Sequence, residues 1–148
     1  MTNRSIDLNA DVGESFGPWR LGEDERLIPL LTSANVACGA HAGDPLTMER
    51  TVAIAKAGGV AVGAHPGYPD LAGFGRRDIA MDPEELGASL VAQVAAVAAF
   101  ARDARLELHH VKAHGALYNA AVRDAALAGT IAAAIARVAP GTRLYGLP

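Results

Sequence analysis

Apolar residues follow two rhythms along this chain. Short apolar runs bounded by Gly, Pro or charged residues read as strands, and longer stretches with apolar residues at three- and four-residue steps read as helices. The pattern predicts about five strands, near residues 5–11, 33–38, 60–65, 106–113 and 142–147. Four helices are predicted between them. The clearest opens at Asp82-Pro83-Glu84-Glu85, an N-cap followed by proline at the first helical position and glutamate at the capping-box position. Its body carries Leu86, Leu90, Val94, Val97 and Ala101 as one apolar stripe and extends to about Arg105. Asp44-Pro45 opens a second helix that closes near Gly58-Gly59. A short helix near 24–31 and a broken one over 116–138, recapped by Asp124 and ended by Pro140-Gly141, complete the set. Strand–helix alternation is the pattern of a parallel sheet or barrel covered by helices.

The connections after the first and third strands, 11–22 and 66–78, are longer than the usual two to six residues. Both lie at carboxyl ends of strands, where α/β sheets and barrels bind ligands. Phe16, Trp19, Tyr68, Phe74 and Tyr118 fall in or beside such segments. That placement predicts aromatics around a site rather than in the core.

Alternation in the first strand puts Ile6, Leu8 and Ala10 on one face and Asp7, Asn9 and Asp11 on the other. In the fourth, Leu108, His110, Lys112 and His114 share a face opposite His109, Val111 and Ala113. His65 ends the third strand, in phase with Ala61 and Gly63. With helices over the apolar faces, the polar ones point into a barrel or cleft, where ions must pair. Asp7 or Asp11 with Lys112 is the expected pair. Such a cluster perturbs pKa values, as acid–base catalysis requires. The alternative is an edge strand whose polar side faces solvent.

Composition removes several classes of function. The net charge is −3, and Lys56 and Lys112 are the only lysines, so no cationic face for nucleic acid is expected. Alanine supplies 32 positions, and the apolar stretches are broken by charged or polar residues, so no membrane span is expected. The single cysteine and the polar start MTNRSIDL suggest a cytoplasmic protein. The length of 148 residues suits one β/α domain.

Candidate chemistry extends to three further places. His41, in Cys38-Gly39-Ala40-His41-Ala42-Gly43-Asp44, sits just before a helix start, whose free N–H groups suit an anion. Cys38 reads as a buried strand residue rather than a nucleophile. Arg76 and Arg77 are suited to bidentate contact with a carboxylate or phosphate. Asp11, His41, His65 and His114 are chemically competent metal ligands, but the sequence has no compact ligand spacing, so no divalent metal is assigned. Gly58-Gly59 is not followed by Gly-Lys-Ser/Thr, so no phosphate-binding P-loop is present.

The segments DLNADVGESFG (7–17), SANVACGAHAGDP (33–45), GAHPGYPDLAGFGRR (63–77) and HVKAHGALYN (110–119) closely resemble the LamB/YcsF family. Four long motifs in order over essentially the whole chain make the match specific. Ala10 stands where the family often has cysteine and Ala113 where proline is common; neither change removes an ionisable group. The resemblance implies a β/α barrel of the glycoside hydrolase/deacetylase type, present here as an incomplete, C-terminally truncated barrel of about five strands. It also implies a role as one component of an ATP-dependent 5-oxoprolinase, the A component, in a hydrolase that opens 5-oxo-L-proline at its cyclic amide C–N bond to give L-glutamate. Subunits B and C are expected to bind ATP and phosphorylate the lactam.

Opening a lactam needs a base for water, a donor for the oxyanion and an acid for the leaving nitrogen. The expected assignment makes Asp11 the base, Lys112 and Asn9 the oxyanion stabilisers, and His114 or His65 the acid, with Asp7 orienting Lys112. Phe16 and Tyr68 are expected to cover the ring, and His41 and Arg76 to bind substrate. The alternatives are a metal-dependent deacetylase or amidohydrolase on the same barrel and a non-catalytic lactam-binding component. Five strands cannot close a barrel of this type. An open, curved sheet with an edge that favours homo-oligomers is therefore expected.

Overall fold

The structure is a computed structural model that describes residues 5–146. Five parallel strands lie in sequence order: β1 (Asn9–Val12), β2 (Ser33–Ala37), β3 (Ala61–His65), β4 (His110–Lys112) and β5 (Arg143–Tyr145). The first connection carries α1 (Asp24–Leu27), continued by a 3-10 turn at Ile28–Leu30. The others carry α2 (Pro45–Gly58), α3 (Pro83–Asp103), and α4 (Gly115–Ala121) followed by α5 (Ala125–Val138). The architecture is of the parallel β/α barrel type, with five strands among the described residues and β1 and β5 outermost. The curl is deep enough for the Tyr145 hydroxyl to come within 3.4 Å of Asp7.

The helices begin where their caps dictate. Asp44 accepts from the N–H groups of Leu46 and Thr47, Asp82 from Glu84, and Asp124 from Ala126 and Leu127. Leu86, Leu90, Val94, Val97 and Ala101 of α3 are all buried. They pack over the outer sheet face of Ala34, Val36, Val62, Ala64 and Val111, together with Met48 and Val52 of α2 and Ile131 and Ile135 of α5. Each large apolar side chain buried there contributes about 1.5–3 kcal/mol. Helix α3 is long and apolar enough to pass a length-and-composition test for a membrane span, as core helices do, and one of its faces is buried by the fold.

Three further expectations are corrected at this level. The first strand begins at Asn9 rather than residue 5, because as an edge strand it pairs only with β2, from Ser33 onward. Ile6 and Leu8 are therefore exposed rather than buried under a helix. Strand β4 is only three residues long, since the chain from 104 to 109 runs into it as a loop. The end of the fifth expected strand, Leu147, lies outside the described residues.

The Asp44 carboxylate also accepts from the N–H of Gly17, tying the β1–α1 loop to the start of α2. Asp44→Ala should therefore cost about 1–2 kcal/mol, the upper part of the range for a lost N-cap, as measured by urea denaturation. It should also raise amide exchange at residues 13–19, which an isolated capping defect would leave unchanged.

Candidate active site

Side chains on the inner sheet face form a polar layer in register. Asp11, Asn35, Gly63 and His110 are paired neighbours from β1 to β4. Gly63 has no side chain, and a Cβ there would overlap the His110 ring. That gap lets His110 reach across β3 and donate from Nε2 to Asn35 Oδ1 at 2.5 Å. The Asn35 amide donates to Asn9 Oδ1 at 2.6 Å and to Asp11 Oδ1 at 2.7 Å, and its oxygen also accepts from Asn9. All four hydrogen-bonding positions of this buried amide are used.

Lys112 Nζ donates to Asp11 Oδ1 at 2.6 Å, so of the two candidate pairs it is Asp11 that forms. Asp11 keeps 36% of its side chain exposed and Lys112 24%, so the pair sits at the mouth of the sheet rather than deep inside. Burial pushes the Asp11 carboxyl up, but His65, Lys112 and Asn35 outweigh it and hold the group far below the carboxylate range. Lys112 also lies 5.9 Å from the Tyr118 ring. A cleft of about 360 Å³ opens here, lined by Asp11, His65, Arg76, Lys112, His114 and Asn119 among others.

Beside the pair lies a group of three buried histidines, His41, His65 and His114. His65 Nδ1 meets the Lys112 carbonyl at 2.6 Å and His114 Nε2 meets the Phe74 carbonyl at 2.8 Å. A carbonyl only accepts, so both ring nitrogens carry hydrogen. Their other nitrogens, His65 Nε2 and His114 Nδ1, face each other at 3.0 Å. His41 stacks on His114 with centroids 3.6 Å apart and reaches Glu14 Oε1 from Nε2 at 3.2 Å. Burial, then the charge of His41, lowers His114 to about 4, and burial likewise lowers His41.

The loop after β3 is built around this group. Phe74 adopts φ 56, a left-handed conformation uncommon for a non-glycine residue, and so turns its carbonyl onto His114. Gly75 follows in the same region; a Cβ on it would lie 2.7 Å from His41 and 2.8 Å from His114. Gln93 of α3 grips Gly67 by both its N–H and its carbonyl, each at 2.9 Å.

The remaining candidates separate. Asp7 is exposed at the other end of the sheet and accepts from Thr32 and Ser33; it does not orient Lys112. Those hydrogen bonds, Thr32 first, hold it below the usual carboxylate range. Asn9 lies in the polar layer, linked to Asp11 only through Asn35. Tyr68 is buried in the apolar core instead of covering the cleft, because the loop folds back under α3. Its hydroxyl is pushed up by burial and then by Asp78 and Asp124. His41 is not an anion site at a helix start, since Asp44 already takes the N–H groups there. Phe16 stacks on Trp19 and lines a neighbouring groove with Glu14, His41 and Phe74. Arg76 lies 5.4 Å over the Phe74 ring on the rim of the cleft, whereas Arg77 is spent on Asp70 inside the loop. Burial pushes the Cys38 thiol up to about 12, as suits an inert thiol.

Residues 6–148 match the LamB/YcsF family. The chain belongs to that family. Among curated relatives, this LamB/YcsF chain is 55% identical over 145 residues to the 5-oxoprolinase A subunit of Symbiobacterium thermophilum, covering 98% of this chain and 56% of the relative. It is 57% identical over 145 residues to the 5-oxoprolinase A subunit of Bordetella pertussis, covering 98% and 58%. The crystal structure of the lactam utilization protein from Thermus thermophilus superposes with a TM-score of 0.95 at 52% identity, over 98% of this chain and 59% of that one. The chain therefore spans a little more than half the length of the relatives it matches.

Sequence reasoning passed over Glu14, Asn35 and His110. The last two had a signal, since alternation alone places them on the polar face; Glu14 lies in a loop and had none.

Two outcomes test this layer. Gly63→Ala should destabilise by about 1–3 kcal/mol in denaturant titration, the usual cost of overpacking, and His110→Ala in the same chain should recover part of that loss. Burial, then His109, lowers His110 to about 4. Between about 6.5 and 4 the unfolded chain binds a proton that the folded chain refuses, so stability falls as the pH is lowered through that window. His110→Gln keeps a donor for Asn35 and should flatten the dependence of the urea midpoint on pH.

Proposed function

We propose that the protein acts as the A component of an ATP-dependent 5-oxoprolinase, opening the ring of 5-oxo-L-proline to L-glutamate in the cytoplasm. The observation that carries this reading is the half-exposed Asp11–Lys112 pair at the mouth of a cleft edged by Arg76. The names of the relatives support the substrate class. Phosphorylation of the lactam falls to partner subunits B and C, which bind the ATP, since this chain has no P-loop.

Asp11 is the base. It takes a proton from the water whose oxygen bonds to the activated ring carbon, while Lys112 turns from Asp11 to the oxygen on which charge develops. Asn9 acts through Asn35, which keeps Asp11 aimed at the cleft. As the ring C–N bond breaks, Asp11 returns the proton to the departing nitrogen, and a second water then hydrolyses the acyl phosphate so formed, releasing inorganic phosphate and L-glutamate. His65 and His114 are not assigned as that acid, because each commits an N–H to a carbonyl. Arg76 holds a carboxylate or phosphate at the rim, and Phe16 shields the Glu14 side of the site.

The test is a steady-state assay of the whole protein with its partner subunits and ATP. Lys112→Met should lower turnover at least ~100-fold, the scale for loss of one oxyanion donor. Because the pair is half exposed, the same change should cost only about 1 kcal/mol of stability. Unchanged turnover in Lys112→Met would remove the proposed role, and absence of ATP-dependent glutamate formation by the wild-type complex would remove the function.

A further inference from the structure

His65 Nε2 and His114 Nδ1 face each other across 3.0 Å, an approach that calls for a proton or a cation shared by the two nitrogens. The arrangement is built in by the backbone: the Lys112 carbonyl fixes the hydrogen of His65 on Nδ1, and the left-handed Phe74 carbonyl fixes that of His114 on Nε2. Metal-binding histidines are oriented in this way, with the distal N–H given to a carbonyl and the bare nitrogen to the ion.

Further donors converge on the same point. Glu14 Oε1 is 3.9 Å from His114 Nδ1, and Asp11 Oδ2 is 3.3 Å from His65 Nε2. Ligand atoms of Glu14, His41, His65 and His114 all lie within 4.8 Å of one another. In a tetrahedral site with bonds near 2.1 Å, neighbouring ligand atoms stand about 3.4 Å apart, between the 3.0 Å and 3.9 Å that separate His114 Nδ1 from His65 Nε2 and from Glu14 Oε1.

His41 is set apart by its geometry. Its ring lies parallel to His114 at 3.6 Å, with 3° between the planes, so an ion in the plane of one ring is out of the plane of the other. His41 instead donates from Nε2 to Glu14 and holds that carboxylate toward the pair.

We propose that His65 Nε2, His114 Nδ1 and the Glu14 carboxylate bind one divalent d-block cation, zinc foremost, with His41 as the residue that positions Glu14. Two imidazoles and a carboxylate suit zinc better than magnesium or calcium, which prefer all-oxygen sites. When bound, such an ion supplies Lewis-acid polarisation and a more acidic bound water beside the Asp11–Lys112 cleft. This inference rests on ring geometry rather than on the identity of the substrate, and it can fail while lactam opening stands.

The experiment is a calorimetric titration of the whole, chelator-treated protein with zinc chloride, repeated with cobalt(II) chloride and followed by visible absorption. The expected result is one ion per chain, with cobalt bands of nitrogen–oxygen ligation. Glu14 keeps 19% of its side chain exposed, so Glu14→Gln should fold, and it should weaken zinc at least tenfold. His114→Asn should weaken it at least a hundredfold. His109→Gln, outside the group, should bind as the wild type does. Failure of the folded wild-type protein to take up an ion would overturn the proposal, as would binding insensitive to both Glu14→Gln and His114→Asn. An imidazole pair sharing a proton in nitrogen NMR of the zinc-treated protein would also overturn it, and would return the acid role to His65.

Discussion

The Asn35 side chain makes four hydrogen bonds from the middle of the inner sheet face, and the site is organised around them. A parallel sheet with helices outside must fill its inner face with something, and here the filling is polar. Polar groups in such a position are costly unless every donor and acceptor is matched. The matching runs from Asn9 through Asn35 to Asp11 on one side and to His110 on the other. Asp11 then takes Lys112, and His65 stands against both. Each charged group at the cleft is thus aimed by neutral amides and rings that themselves have no freedom left.

Much of this was legible in the sequence because it depends on alternation. A two-residue period places Asn9 and Asp11 together, puts Lys112 and His114 on one face, and ends β3 on His65; the register then makes Asp11 and Lys112 neighbours across a curled sheet. The caps at Asp44, Asp82 and Asp124 were legible for a similar reason, since an N-cap acts over three residues. The failures lie where no period operates. Asp7 continues the alternation but falls before the strand begins, so it faces solvent at the far end. Tyr68 was judged by its place in a loop, yet that loop is stitched to α3 by Gln93 and buries it. Glu14 depends on the fold of a long connection, which only tertiary contacts determine.

The two halves of the site are made differently. Asp11 and Lys112 meet by side chain alone at a half-open mouth, where solvent moderates their attraction. The histidine group is closed, and its rings are held by main-chain carbonyls from β4 and from the loop after β3. The first arrangement leaves a cation free to turn toward a ligand. The second keeps ring orientation independent of what enters the cleft.

Backbone control of the imidazoles also separates what can vary from what cannot. Trp19 and Arg76 are exposed at the rim and meet their neighbours Phe16 and Phe74 through ring faces. The floor is tied to peptide groups, and a carbonyl is present whatever side chain its residue bears. Rim residues are thus free to change with the ligand while the backbone partners of His65 and His114 stay the same. What this site cannot easily exchange is the twist at Phe74-Gly75, a main-chain shape with no side-chain substitute.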